Sequence, residues 1–172
     1  KGGNSPKLIH LNGVKQRGTR ALFDVFKCIA FIPDDTDIIK GSPEKRRSFI
    51  DMAASQLNPM FVMHLNKNNA IMNQRNALLK EIAQRNASAD VLEIWDRQAS
   101  KDGAVISWMR NEYVSKINEI CGRLYNTISG GAEELSLEYR SNVYKPEDFE
   151  KPIGEEAEEL YYRRLRETSE YD

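Results

Sequence analysis

The sequence predicts an α+β fold that is mostly α: an antiparallel hairpin of long helices with further packed helices, plus a small β element near the N terminus and around 134–140. Three observations predict it. Apolar residues recur at helical spacing over two long stretches, 59–84 and 90–128. Asn12-Gly13 separates two short extended runs near the N terminus. Residues 134–140 alternate, with Leu135, Leu137 and Tyr139 on one face, the period of a half-buried strand that could return to the first β element.

Each element has its own reason. Both central positions of a type I′ turn need positive φ, so Asn12-Gly13 marks a hairpin between 7–12 and 14–17. A short helix is expected at about 19–26, with Leu22, Phe23 and Phe26 on one side. The apolar run Cys28-Ile29-Ala30-Phe31-Ile32, ended by Pro33, reads as a buried strand. Ser42-Pro43-Glu44 opens a helix over 43–57, with the Ser hydroxyl as N-cap and Pro at the first helical position. That helix is expected to bury Phe49, Ile50, Ala53 and Leu57.

Asn58-Pro59 restarts helix in the same way. Positions 61, 65, 68, 72, 75, 79 and 82 then carry Phe, Leu, Asn, Met, Arg, Leu and Ile, a heptad seam with Asn68 and Arg75 as polar interruptions. A second pattern runs through Val91, Trp95, Gln98, Asp102, Ile106, Met109, Tyr113, Ile117, Ile120, Leu124 and Ile128 to Gly130-Gly131. At ~1.5 Å per residue the two helices would be about 39 and 58 Å long. Joined by a turn at 85–89 they form an antiparallel hairpin, with the excess of the longer helix packing elsewhere. Asp102-Gly103 is the expected place for a kink. Residues 142–154 read as a loop, and a last helix over about 155–170 passes from acidic to basic, the polarity its macrodipole favours.

Composition narrows the function classes. A chain of 172 residues with 40% apolar content buries one core. No apolar run approaches the roughly 18 to 20 residues of a membrane span. Cys28 and Cys121 are far apart, with only His10 and His64 as imidazole partners, so we expect reduced thiols, no metal site and a cytoplasmic location. The opening Lys1-Gly2-Gly3-Asn4-Ser5-Pro6 has neither an initiator Met nor a signal core, as expected of a piece that begins inside a longer protein. The net charge of −1 hides a split. Up to residue 90 there are 14 Lys and Arg against 8 Asp and Glu, and beyond it 11 against 18. A basic half suits a phosphate-bearing partner, and an acidic half suits a protein partner or solubility.

From Pro33 to Asp51 the chain reads P-D-x-x-x-I-I-x-G-S-P-x-x-R-R-x-F-I-D. In this it resembles the RecF family of bacterial recombination and repair ATPases. Further similar stretches follow in order: Ser55-Gln56, the run from Gln74 to Lys80, Trp95-Asp96, Gly103-Ala104, and Leu135-x-Leu137-x-Tyr139-x-Ser141. The family is similar to Rad50 and SMC ATPases, whose chemistry uses a Gly-rich phosphate loop with Lys, a signature loop and an Asp-Glu pair. No G-x-x-x-x-G-K-[ST], Ser-x-Gly-x-Gln or apolar run ending in Asp-Glu occurs here. The resemblance therefore implies a non-catalytic middle piece: an edge of the ATPase lobe at 1–33, helical domain II at 34–132, and a returning strand, loop and helix at 133–172. No cofactor is expected in this piece, and ATP and Mg²⁺ are expected in the parent protein. It also implies DNA binding, an ATP-dependent homodimer, work with RecR and RecO in recombinational repair and replication restart, and a role in SOS induction.

Candidate residues follow from both readings. The resemblance places a nucleotide-sensing loop at Asp34 and Asp35, against the simpler role of capping the short helix at 36–40. Lys40, Lys45, Arg46 and Arg47 are candidate DNA contacts; Lys45, Arg46 and Arg47 are cations in the first turns of a helix, which its dipole disfavours and which suit a bound anion. Arg47 alternatively pairs with Asp51 one turn on. Arg75, on an apolar seam, is either a DNA contact or the buried partner of Asp102 or Asp96. Trp95 and Trp108 read as core, and His10 and His64 as ordinary residues. The rival reading is an interaction module that docks RecR without touching DNA. Lacking the phosphate loop, the chain should bind no ATP: calorimetry should show no saturable, Mg²⁺-dependent heat, and micromolar binding would contradict this.

Overall fold

A computed structural model describes residues 8–18, 22, 25–28, 30, 32–84 and 88–169. The fold is mostly α, with one small antiparallel sheet among the described residues. Strands β1 (Ile9–Leu11) and β2 (Val14–Gln16) pair with Ile9 opposite Gln16 and Leu11 opposite Val14. Asn12 at φ 50° and Gly13 at φ 81° supply the turn that the Asn-Gly pair predicts. Helices α1 (Asp37–Lys40), α2 (Pro43–Leu57), α3 (Pro59–Ala83), α4 (Leu92–Ile128) and α5 (Glu155–Ser169) follow. The chain divides into two compact units, 1–62 and 63–172.

In the first unit, Leu22 and Val25 are helical and the Phe26 N–H donates to the Leu22 carbonyl at 2.7 Å, while the rest of the expected 19–26 helix lies mostly outside the described residues. The strand expected at 28–32 does not form among its described members. Cys28, Ala30 and Ile32 are exposed and outside any strand, and among the described residues no ladder partner pairs with them. A 3-10 turn, Pro33–Thr36, leads into α1. Helix α2 starts at Pro43 as expected, but the Ser42 hydroxyl makes no cap; its carbonyl accepts from the Lys45 amide at 3.1 Å instead. The face that α2 buries is Ala54 and Ser55, and Phe49 and Leu57 are exposed, contrary to the expected core positions. Asn58 caps α3 with its side chain, whose Oδ1 accepts from the Met60 N–H at 2.9 Å.

The second unit is built on α4, which runs unbroken for 37 residues. Gly103 does not kink it, because the glycine serves a packing need. A Cβ built there would lie 2.5 Å from Tyr161 Cζ on α5, so only hydrogen allows the ring this close. The buried face of α4 is Asp96, Ala99, Ser100, Gly103, Ala104, Ile106, Ser107 and Val114, a stripe of small residues on which α5 lies. The expected apolar series shares only Ile106 with it, and Ile120, Leu124 and Ile128 are exposed. Buried hydroxyls are satisfied within the helix: Ser107 donates to the Gly103 carbonyl at 2.8 Å and Ser100 to the Arg97 carbonyl at 2.9 Å.

No strand forms at 134–140, where the run has no partner strand among the described residues; the Leu137 N–H donates to Asn118 Oδ1 on α4 at 2.5 Å instead. The loop at 142–154 is folded onto the core through aromatic rings. Trp108 meets Tyr144 edge-on at 4.8 Å and Phe149 at 4.8 Å, and its indole donates to the Lys151 carbonyl at 3.2 Å. Tyr144 is buried and donates to the Ala157 carbonyl at 2.6 Å, and burial raises its pKa. Arg164 of α5 ties the loop down, donating to the Val143 carbonyl and to Asp148 Oδ2, both at 2.6 Å. Partial burial pushes the Asp148 carboxyl up, but the bonds from Arg164 and the Lys145 amide outweigh it and hold the group below its ordinary value.

Gly103→Ala should lower stability by about 1–3 kcal/mol through overpacking against Tyr161. Gly154→Ala, with nothing within 4 Å of the added methyl, should stay within about 0.5 kcal/mol. Denaturant unfolding of the two variants measures the contrast, and equal midpoints would contradict it.

Candidate nucleic-acid interface

The basic cluster of the motif segment lies on α1 and α2 of the first unit. Lys40, Lys45, Arg46 and Arg47 are all exposed. Two of them also serve the local fold. Lys45 pairs with Asp37, and Arg46 reaches back to carbonyls at the end of α1, with Nη1 2.9 Å from the Gly41 oxygen and 3.4 Å from that of Ile38. A cation at a helix C terminus is favoured by the dipole, which accounts for a cationic residue that the dipole of α2 itself disfavours. Lys40 and Arg47 are therefore the members of the cluster directed to solvent on this geometry. Asp35 Oδ2 accepts from the Ile32 N–H at 2.8 Å, a local cap of the 3-10 turn. The side chain of Asp34 lies outside what is described.

In the second unit α3 and α4 run antiparallel and face each other through polar pairs. Of the two acids offered to Arg75, Asp96 is the one in contact: Arg75 Nε lies 2.6 Å from Asp96 Oδ1, with the side chains 7% and 1% exposed. Asp102 instead takes His64, Nδ1 to Oδ1 at 2.7 Å. A guanidinium this deeply buried cannot reach a phosphate, so Arg75 leaves the set of candidate DNA contacts. The described seam positions on α3 (Phe61, Leu65, Asn68, Met72, Arg75, Leu79 and Ile82) are all buried or half-buried, as their spacing predicts.

One flank of α3 has a different character. Asn66, Asn69, Asn73 and Asn76 are exposed, and with Lys80 they fall within an arc of about 80° at ~100° per residue. Among the described residues none of the four makes a side-chain hydrogen bond. Asn in an exposed helix interior is about 0.6 kcal/mol less favourable than Ala, so four of them weaken α3 by roughly 2 kcal/mol. No side-chain hydrogen bond among the described residues offsets that.

Known proteins agree with the chain along most of its length. DNA replication and repair protein RecF of Agathobacter rectalis is 36% identical over 140 residues, 81% of this chain and 39% of that protein. RecF of Clostridium acetobutylicum is 31% identical over 163 residues, 95% of this chain and 44% of that protein. A solved structure of the recombination mediator protein RecF with ATPrS, in the RecFOR pathway, matches with a TM-score of 0.86 at 30% identity over 98% of this chain and 44% of that one. The chain belongs to the RecF family. It spans about two fifths of the length of the curated relatives it matches. No family model matches it.

Within this RecF-family chain, the sequence placed the basic cluster and named Asp96 among the partners of Arg75, but it overlooked two things. The carboxamide stripe was legible as N-x-x-N-x-x-x-N-x-x-N, a helical spacing of a residue that helices disfavour. The local duty of Lys45 and Arg46 was not legible, since it depends on how α1 ends. Arg46→Ala should cost about 1 kcal/mol and speed amide exchange over 37–41, whereas Lys40→Ala should do neither. Exchange in that segment that is unaltered in the Arg46 variant would contradict the capping role.

Proposed function

We propose that this chain is the non-catalytic helical lobe of a RecF-type ATPase, a DNA-binding protein of replication and recombinational repair. The observation that carries the reading is the match of 98% of the chain, at a TM-score of 0.86, to a RecF structure containing ATPrS. In this reading residues 34–132 form helical domain II, 1–33 edge the ATPase lobe, and 133–172 return to it. The sequence holds no phosphate loop, so these residues do not fit a triphosphate and no nucleotide step is assigned to them. ATP and Mg²⁺ belong to the parent protein, and Asp34 and Asp35 are its proposed nucleotide-sensing residues, with the cap that Asp35 makes on the Ile32 N–H as the competing use of that carboxylate.

The protein then works as a homodimer around ATP, in the cytoplasm, with RecR and RecO at DNA gaps and in SOS induction. Duplex DNA is met by the outward cations of the first unit, Lys40 and Arg47, with Lys45 and Arg46 holding the helices that present them. Arg47 pairing with Asp51 is the competing use of that side chain. The commitment of Lys45 and Arg46 to the chain itself favours a second reading, in which this lobe docks RecR and leaves DNA untouched.

A salt titration separates the two. Each phosphate contact contributes ~0.9 to the slope of log affinity against log salt. Lys40→Glu with Arg47→Glu should flatten the slope by about two units and leave the folded state intact. A slope equal to that of the unaltered protein would move these residues to the protein-docking reading.

A further inference from the structure

Beyond the basic cluster, the stripe of Asn66, Asn69, Asn73 and Asn76 with Lys80 on α3 is exposed, and among the described residues its carboxamides make no hydrogen bond. We propose that it is a second DNA-docking strip, which lies along the phosphodiester backbone of a duplex and holds it with neutral carboxamide donors and one cation. The proposal rests on the DNA-binding reading above and adds the surface and the chemistry by which contact is made.

Several features select this occupant. A carboxamide presents two N–H donors, and side-chain amides are regular partners of phosphate and sugar oxygens. The stripe carries no carboxylate. Glu81 is the one acid of the whole helix, and it falls on the turn of the helix surface beside Gln74 and Lys67, about 100° around from Lys80. Between Asn66 and Lys80 the strip is about 21 Å long at ~1.5 Å per residue, long enough to follow several phosphates of one strand. A single strand held by base stacking would need exposed aromatic rings. The aromatic residue of α3 is Phe61, which is fully buried. An apolar protein partner is also a poor match for a strip of five polar side chains, since each amide would have to be desolvated and paired.

Neutral donors displace no condensed counterions, so their signature differs from that of cations. Asn69→Ala with Asn73→Ala should weaken binding to a duplex oligonucleotide about tenfold or more at every salt concentration and leave the slope of log affinity against log salt unchanged. Because Ala favours helix over Asn, the variant should unfold no earlier than the unaltered protein. The near-isosteric pair Asn69→Asp with Asn73→Asp should weaken binding further by repelling phosphate, and Asn69→Gln with Asn73→Gln should recover part of it. Lys80→Ala should flatten the slope by about one unit. Affinity unchanged in both the Ala and the Asp variants, in a protein that binds DNA with a steep salt slope, would overturn the strip while leaving the DNA-binding reading standing. An unaltered protein that binds no duplex at low salt would overturn both.

Discussion

The buried pair between Arg75 and Asp96 is the constraint on which the second unit depends. A guanidinium and a carboxylate that are both almost fully enclosed are favoured in contact, since removing either takes the facing counter-charge from the other in the interior. Their contact fixes which residue of α3 faces which residue of α4. His64 and Asp102 set a second point, 11 positions away on α3, or about 16 Å at ~1.5 Å per residue. Two polar clamps thus define the antiparallel register, where apolar side chains alone would allow one turn to slide past the next. The rotation of α3 follows from the same pairs. With Arg75 turned inward, Asn66, Asn69, Asn73 and Asn76 have to face solvent.

The rest of the buried face of α4 is organised by close approach rather than charge. Ala99, Ser100, Gly103, Ala104 and Ser107 let α5 come near enough for Tyr161 to sit over Gly103. Burial raises the pKa of Tyr161, so its phenol stays neutral within that contact. The loop before α5 then closes on the rings of Trp108, Tyr144 and Phe149, and Arg164 secures it through Asp148. Surface contacts add to this: Arg97 of α4 lies 3.7 Å from the Tyr162 ring centroid and bonds Glu159 at 2.6 Å.

What was legible in the sequence followed from local chemistry. The Asn12-Gly13 turn, the starts of α2 and α3 at Pro43 and Pro59, the seam of α3 and the polarity of α5 all rest on spacing or backbone preference, and the structure has them. The errors came where a partner decides the outcome. An alternating or apolar run at 134–140 or 28–32 becomes a strand only beside another strand. The large apolar residues of α4 drew attention to the wrong face, because the closest packing uses its smallest side chains. For the site, Arg75 was recognisable as a residue in need of an acid, yet choosing Asp96 over Asp102 required knowing the register.

If the register is the device that aims the outward flank of α3, then the coupling between Arg75 and Asp96 is the quantity to measure. A double-mutant cycle on unfolding free energy, using Arg75→Met, Asp96→Leu and the pair, reads it directly. Each single change should cost about 3–5 kcal/mol, because it strands the other charge, and the double variant should cost much less than their sum, leaving a coupling of several kcal/mol. Additive losses, with the double variant as unstable as the two single changes combined, would mean that the pair does not hold the helices in register, and would contradict this account.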